Sequence, residues 1–121
     1  MISGFHHAEL PVSDVTRSCE SYERVLGFTV DLGFVEEDVV RGVALAHDGL
    51  CAGIALHHDP AKALSGFNAV ALLVPTCEEV HAWKARLDEP GEPRDRYGHR
   101  GGAVLVGLHD PDGLEIRLHA D

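Results

Sequence analysis

The sequence predicts an α+β fold made of two copies of a β-α-β-β-β module. The phrase SGFHHAELPV at residues 3–12 returns as SGFNAVALLV at residues 65–74, an offset of 62 residues. Near the end of each copy the same offset relates Ile54 to Ile116. In each copy, an alternating strand-like segment also precedes a capped amphipathic helix. A constant offset at both ends of a unit indicates two structural copies.

The first copy opens with an alternating, strand-like segment at residues 5–12. Ser13 and Asp14 then form a helix N-cap signal, and Gly27 is expected to end the helix. Between them, apolar residues recur at helical spacing: Val15, Cys19, Tyr22, Val25 and Leu26. Three further strands are predicted, at residues 28–35, 39–47 and 51–57.

The second copy repeats this order with weaker signals. A strand at 67–74 precedes a cap near Thr76 and a helix carrying Val80, Trp83 and Leu87, with Trp83 expected in the core. Strands follow at residues 92–97, 103–108 and 114–119, the first of them short and weakly signalled. Residues 59–65 are predicted to link the copies. Residues 92–102 are polar and Gly-rich, which predicts a mobile hairpin or rim that serves either as a solvated loop or as a substrate lid.

Length and composition indicate one globular domain over residues 1–121, with module 1 at about 1–59 and module 2 at about 65–121. A net charge of −10 argues against nucleic-acid partners and anionic membrane surfaces. No apolar run is long enough for a membrane span, and no signal peptide is evident. Three cysteines without a C-x-x-C pair favour reduced thiols, so we expect a cytoplasmic protein.

Two motifs carry a resemblance to a known family. Residues 22–28 read YERVLGF after the capped helix, and residues 110–116 read DPDGLEI. Together with the two modules, these motifs resemble the vicinal oxygen chelate superfamily, which includes glyoxalases, bleomycin-resistance proteins, fosfomycin-resistance enzymes and extradiol dioxygenases. The resemblance covers the whole chain. It implies a curled mixed sheet that forms a cup, and a homodimer.

The resemblance also implies where a metal would bind. In metal-using members, the ligands come from the first and last strands of each module and surround one divalent ion. Carried over to this chain, the four positions fall on His7, Ala55, Ala69 and Arg117. Only His7 can ligate a metal, and a guanidinium would repel one. We therefore expect no metal or other cofactor, with a divalent metal held by a shifted set such as His7, His57 and Glu115 as the alternative.

Strand alternation places polar side chains on the face opposite the helices. The expected ligand-binding residues are His7, Glu9, Ala55, His57, Ala69, Glu115, Arg117 and His119. Arg117 offers a fork for a carboxylate or phosphate, unless Glu9 or Glu115 neutralises it. His7 is the candidate general base.

These features predict a protein that binds a small organic ligand in a metal-free cup, as the drug-sequestering branch of the family does. The alternative is a lyase, isomerase or dioxygenase. Such an enzyme would use either a shifted metal site or a metal-independent acid or base, His7 or His57. A third hypothesis is a subunit or regulatory domain whose cup is vestigial and binds no ligand. Ligand binding, metal content and turnover separate these hypotheses.

Overall fold

Two four-stranded mixed sheets, each with one helix, make up the fold. The computed structural model describes residues 1–63, 66, 68–89, 94–100 and 103–121, with the backbone alone for 94–100, 103 and 104. The chain divides into two compact units, Met1–Leu64 and Ser65–Asp121. Both units follow the order β-α-β-β-β, so the predicted α+β class and module order are confirmed.

The first unit begins with strand β1 at His7–Val12 and helix α1 at Val15–Leu26. Strands β2 at Thr29–Glu36, β3 at Val39–Ala46 and β4 at Gly53–His58 follow. The sheet order is β1-β4-β3-β2, with β1 parallel to β4 and the other pairs antiparallel. A short 3-10 helix at Pro60–Lys62 lies in the predicted linker.

The second unit has the same topology. It contains β5 at Asn68–Leu73, α2 at Cys77–Asp88, β6 at Arg94–Arg100, β7 at Ala103–His109 and β8 at Glu115–Ala120. The sheet order is β5-β8-β7-β6, and β5 runs parallel to β8. The polar segment predicted as a hairpin or rim, with a weak strand at 92–97, contains the strand β6, which pairs along β7. Residues 92, 93, 101 and 102 of that segment lie outside the described residues.

Local signals explain where the helices begin and end. The Asp14 carboxylate accepts a hydrogen bond from the Arg17 backbone N–H at 3.0 Å, which satisfies one free donor at the start of α1. Gly27 ends α1 in the left-handed conformation, with φ of 76°. Thr76 caps α2 through the Glu79 backbone N–H at 3.2 Å. The predicted caps are thus confirmed.

The core of each unit lies between its helix and one face of its sheet. Strand alternation also predicts that the apolar residues between the polar ones on the first and last strands point toward the helices. These residues are buried: Leu10, Val12, Ile54, Leu56, Leu114, Ile116 and Leu118. Trp83, which was predicted to be buried in the core, is only half-buried, with the Arg86 guanidinium carbon 4.3 Å from its ring centre. The attraction between a cation and an aromatic face stabilises the ring in this half-buried position, so the prediction that Trp83 is in the core is wrong.

The DPDG motif has a structural role in the second unit. The buried Asp110 carboxylate accepts hydrogen bonds from the backbone N–H groups of Asp112 and Leu114, at 3.0 and 2.9 Å. Gly113 adopts φ of 89°, a conformation that side chains disfavour. The motif therefore builds the turn that leads into β8. None of the described helices is long and apolar enough to cross a membrane.

Candidate functional site

The face of the first sheet that is turned away from α1 forms a cavity of about 730 Å³. Strand pairing arranges this face in rows that cross the sheet. One row runs from Glu9 through Ala55 and Ala44 to Leu32. The next row runs through His57 and Gly42 to Phe34. Each row therefore passes from polar side chains, over small residues, to apolar side chains.

The polar side of the cavity is a cluster of His7, Glu9 and His57, which we call the polar cluster. His7 Nε2 lies 3.9 Å from Glu9 Oε2, and His57 Nδ1 lies 3.8 Å from Glu9 Oε1. The three side chains are 43–57% exposed. His7 and Glu9 share a face because they are two residues apart on β1. The carboxylate therefore lies between two imidazoles that a ligand can reach.

The floor of the cavity consists of glycine and alanine. A side chain at Gly53 would place its Cβ 2.6 Å from the Leu45 carbonyl oxygen, and one at Gly42 would come within 2.9 Å of the Leu56 oxygen. Neighbouring backbone thus excludes larger residues at both positions. With Ala44 and Ala55 half-buried between them, the floor is low. A ligand therefore has room above the sheet.

The apolar side of the cavity comes from β2. Leu32 and Phe34 line the cavity and are 53% and 52% exposed. Large apolar side chains that are half in water lose surface to solvent when a ligand covers them, which favours binding. The cavity is therefore polar on one side and apolar on the other. Convergent polar groups beside an apolar wall are typical of small-molecule sites.

The site predicted from strand alternation lacks two charged residues of this cavity. Asp31 on β2 and Arg41 on β3 both line the cavity. Each is skipped in the strand pairing, because the register shifts between Val30 and Leu32 and between Phe34 and Val35. A bulge changes the face of the residues that follow it, so strict alternation cannot place them. The available signals were single charges inside apolar segments: Asp31 in FTVDLGFV and Arg41 in VVRGVALA.

The expected site residues of the second copy have a different setting. Glu115 was expected on the sheet face opposite the helices, and it is 6% exposed. Its carboxylate accepts a 2.9 Å hydrogen bond from Arg117 Nε, and it lies over Gly107, where a Cβ would come within 2.6 Å of Glu115 Oε1. Burial with a charged partner satisfies both groups. The structural pairing of Arg117 with Glu115, which the sequence left open, is therefore present within the second unit.

Ala69 lies at a third bulge. The register pairs Asn68 with Glu115 and then Val70 with Ile116, so Ala69 is skipped. Asn68 stands where His7 stands in the first unit, and its side-chain amide donates to the Val70 and Glu115 carbonyl oxygens at 2.8 and 3.1 Å. A smaller cavity of about 400 Å³ lies on this face, lined by Asn68, Ala71, Leu72, Leu73, Leu105, Arg117 and His119.

The family metal positions do not fit a divalent ion in this chain. His7 is the only one of the four with a donor atom for a metal, and Arg117 is a cation that pairs with Glu115. Among the described residues, no group of three or more His, Cys, Asp or Glu side chains has the arrangement of a metal site. Of the shifted set His7, His57 and Glu115, the two histidines lie in the first unit and Glu115 in the second.

Residues 4–118 match the family described as the Glyoxalase/Bleomycin resistance protein/Dioxygenase superfamily. The chain is also 25% identical to a Bacillus subtilis (strain 168) protein named "Putative ring-cleaving dioxygenase MhqA". That alignment covers 99% of this chain but 41% of the relative, so the chain spans about two fifths of that protein's length.

Solved structures of similar fold include proteins of different activity. TnmS3, an antibiotic binding protein from Streptomyces sp. CB03234, matches with a TM-score of 0.81 at 23% identity, over 98% of this chain and 96% of that chain. Lactoylglutathione lyase from Agrobacterium tumefaciens gives 0.81 at 17% identity, over 98% and 94%. The fosfomycin resistance protein FosX from Listeria monocytogenes gives 0.79 at 20%, over 100% and 95%. At these identities the likeness establishes the fold.

Proposed function

Since the chain belongs to the Glyoxalase/Bleomycin resistance protein/Dioxygenase superfamily, we propose that it binds and sequesters a small organic molecule in the cavity of its first unit. The observation that carries this proposal is the arrangement of that cavity. The polar cluster faces Leu32 and Phe34 across a floor of glycine and alanine. The likeness to an antibiotic binding protein supports the sequestering role.

The cavity suits an amphipathic ligand with a ring system. A flat apolar group can lie on Ala44 and Ala55 and cover Leu32 and Phe34, which gains about 25 cal/mol for each Å² of apolar surface removed from water. A hydrogen-bond donor on the same molecule can face Glu9, whose carboxylate accepts bonds only. Binding of this kind needs neither a metal nor bond breaking.

The test is a thermal-shift and calorimetry screen with antibiotics and aromatic metabolites. A ligand that binds the folded state raises the melting temperature, so hits are recognised by a concentration-dependent shift. In Ala55→Phe the ring fills the floor, and we expect hits to weaken more than about tenfold, as a clash in a packed pocket does. The matched control is Ala85→Phe on the exposed face of α2, which should bind normally. Equal binding by both variants would place the site elsewhere.

A second candidate function, an enzyme of this superfamily, is favoured by the position of Glu9 between two imidazoles. A carboxylate beside an imidazole can hold the ring in one tautomer while the other nitrogen moves a proton. His7 or His57 would be the acid or base, without a metal. The 25% identity to MhqA makes ring-cleavage substrates the first to assay.

Turnover and metal content separate this candidate from the binder. For a binder, we expect no turnover and less than about a tenth of an equivalent of Zn²⁺, Ni²⁺, Mn²⁺ or Fe²⁺ in untagged, metal-incubated and desalted protein, since the ligand count is too low. Turnover lost in His7→Ala would establish the enzyme. Near one equivalent of metal lost in the same variant would show a shifted metal site.

We also propose that residues 1–121 act as one domain, with module 1 at about 1–59 and module 2 at about 65–121, and that the protein is a cytoplasmic homodimer. The fold shared with proteins of this superfamily supports the assembly. Light scattering coupled to size-exclusion chromatography measures it. A mass of one chain of 13.1 kDa at micromolar concentration would refute the dimer.

A further inference from the structure

The two bulges of the β2–β3 pair each carry a charge at the cavity. Asp31 is the skipped residue on β2 and Arg41 is the skipped residue on β3. Bulges turn side chains away from regular alternation and are common beside binding sites. Both residues line the cavity, whereas their neighbours Val30 and Val40 do not. The bulges therefore add charge of both signs to a wall that is otherwise apolar.

Arg41 has no partner that would neutralise it within the described part of the chain. Within that part, no hydrogen bond or ion pair joins the Arg41 side chain to another residue. It is half-buried, and it is the only lysine or arginine among the described residues that line the cavity. A guanidinium presents five fixed donors that match a planar or tetrahedral anion. Its hydrogen-bonding capacity is thus available to a ligand.

The carboxylates of the cavity lie away from Arg41. Arg41 adjoins Gly42, which pairs with Phe34, and Phe34 is three residues along β2 from Asp31, or about 10 Å. Glu9 lies on β1, two strands across the sheet from β3, again about 10 Å away. Neither carboxylate forms an ion pair with the Arg41 guanidinium.

We propose that Arg41 recognises an anionic group on the ligand, so that the ligand is an aromatic or polycyclic organic acid. This inference rests on the proposed function, since it names the chemistry of a ligand in the same cavity. The ring system lies on the glycine and alanine floor against Leu32 and Phe34. A carboxylate, sulfonate or phenolate on the ring then meets the guanidinium. Asp31 disfavours anions at the other end of β2 and so fixes the ligand's direction.

Two fluorescent probes that differ by one charge test this assignment. 8-Anilinonaphthalene-1-sulfonate carries a sulfonate, and N-phenyl-1-naphthylamine has the same rings without it. We expect Arg41→Gln to weaken binding of the sulfonate about tenfold, as loss of a charge-assisted hydrogen bond does. Its binding of the uncharged probe should stay within about twofold, since the rings keep their contacts.

Two further variants control for charge and for packing. Arg24→Gln makes the same change on the exposed surface of α1 and should alter neither probe's affinity. Asp31→Asn should bind the sulfonate about twofold more tightly, because it removes a repulsion that solvent partly screens. A merely structural role for the bulges would weaken both probes in both variants.

The outcomes separate this inference from the proposed function. Selective loss of the sulfonate in Arg41→Gln supports the assignment. Equal weakening of both probes, unchanged sulfonate binding, or wild-type protein that binds only the uncharged probe overturns it and leaves the binding cavity in place. Wild-type protein that binds neither probe overturns both.

Discussion

Ser18 is a buried residue whose hydroxyl is left without a hydrogen bond. The side chain is fully buried between α1 and the first sheet, and its Oγ has no partner among the described residues. A buried hydroxyl without a partner destabilises the folded state, because it has lost the hydrogen bonds that it makes with water in the unfolded chain. Ser18 is buried because it falls on the inward face of α1, together with Tyr22 and Val25.

Ser18→Ala should therefore stabilise the protein. We expect its free energy of unfolding to exceed that of Ser21→Ala by about 1 kcal/mol, since only the first change removes an unsatisfied group. Ser21 is half-exposed on the same helix, so both variants share the gain in helix propensity. Urea denaturation measures the difference. A Ser18→Ala variant less stable than the control would mean that the hydroxyl is satisfied in solution.

The cysteines should differ in reactivity. Burial, and then the Glu23 carboxylate 3.8 Å from Cys19 Sγ, raise the pKa of the Cys19 thiol above its ordinary value of 9.0. Cys51 is exposed at the cavity. Iodoacetamide at pH 8 should therefore modify Cys51 before Cys19, because the thiolate is the reactive form. Peptide mass spectrometry gives the order, and faster labelling of Cys19 would contradict it.

The raised pKa of Cys19 also makes the stability of the fold depend on pH. Folding raises the pKa of this acid, so the folded state holds the proton more tightly than the unfolded state. The Cys19 thiol therefore costs nothing well below pH 9.0 and lowers stability as pH rises through 9.0 toward the folded pKa. Cys19→Ser should flatten the fall of the melting temperature in that window, which thermal unfolding at a series of pH values measures.

At the scale of elements, the β2–β3 hairpin has an unusual turn. Glu37 and Asp38 both have positive φ, 51° and 62°, as a two-residue type I′ turn requires. Asn-Gly is the preferred pair there, because larger side chains are strained in this region. Three consecutive acids, residues 36–38, also repel one another at the tip. The turn is therefore a weak point of a well-paired hairpin.

Replacing the turn by Glu37→Asn with Asp38→Gly should raise the free energy of unfolding by about 1 kcal/mol. Thermal and urea unfolding give the value. The double variant Glu37→Gln with Asp38→Gln removes the same charges while keeping disfavoured side chains. If this control gains as much stability, repulsion rather than backbone strain limits the turn.

Elements were predictable where the signal is local. The Asp14 cap, the Gly27 stop and the alternating strands depend on neighbours in sequence, and the structure follows them. Bulges are different, since they depend on which strands pair and in what register. Arg41 and Ala69 therefore took positions that alternation could not assign. The strand at 92–97 was only weakly signalled, because its polar residues carry little alternation, and pairing with β7 gives β6 its observed bounds, Arg94–Arg100.

For the whole molecule, the sequence predicted one ligand-binding site lined by polar residues of both copies. The structure places His7, Glu9 and His57 together in the first unit. It pairs Glu115 with Arg117 inside the second, where a buried carboxylate needs a cation. Glu115 lies against Gly107, a contact between two strands that brings it to Arg117. The spacing of residues in the sequence does not reveal such a contact. A role of these residues in ligand binding stays a prediction.

Binding of a small organic molecule in the cavity of the first unit is the function that we propose. Its most direct test is an amide NMR titration of the full chain with N-phenyl-1-naphthylamine, which does not depend on Arg41. We expect saturable shifts that cluster at residues 31–34, 41–46 and 53–57, where the strands line the cavity. Absent shifts, or shifts that cluster on the second sheet, would contradict it.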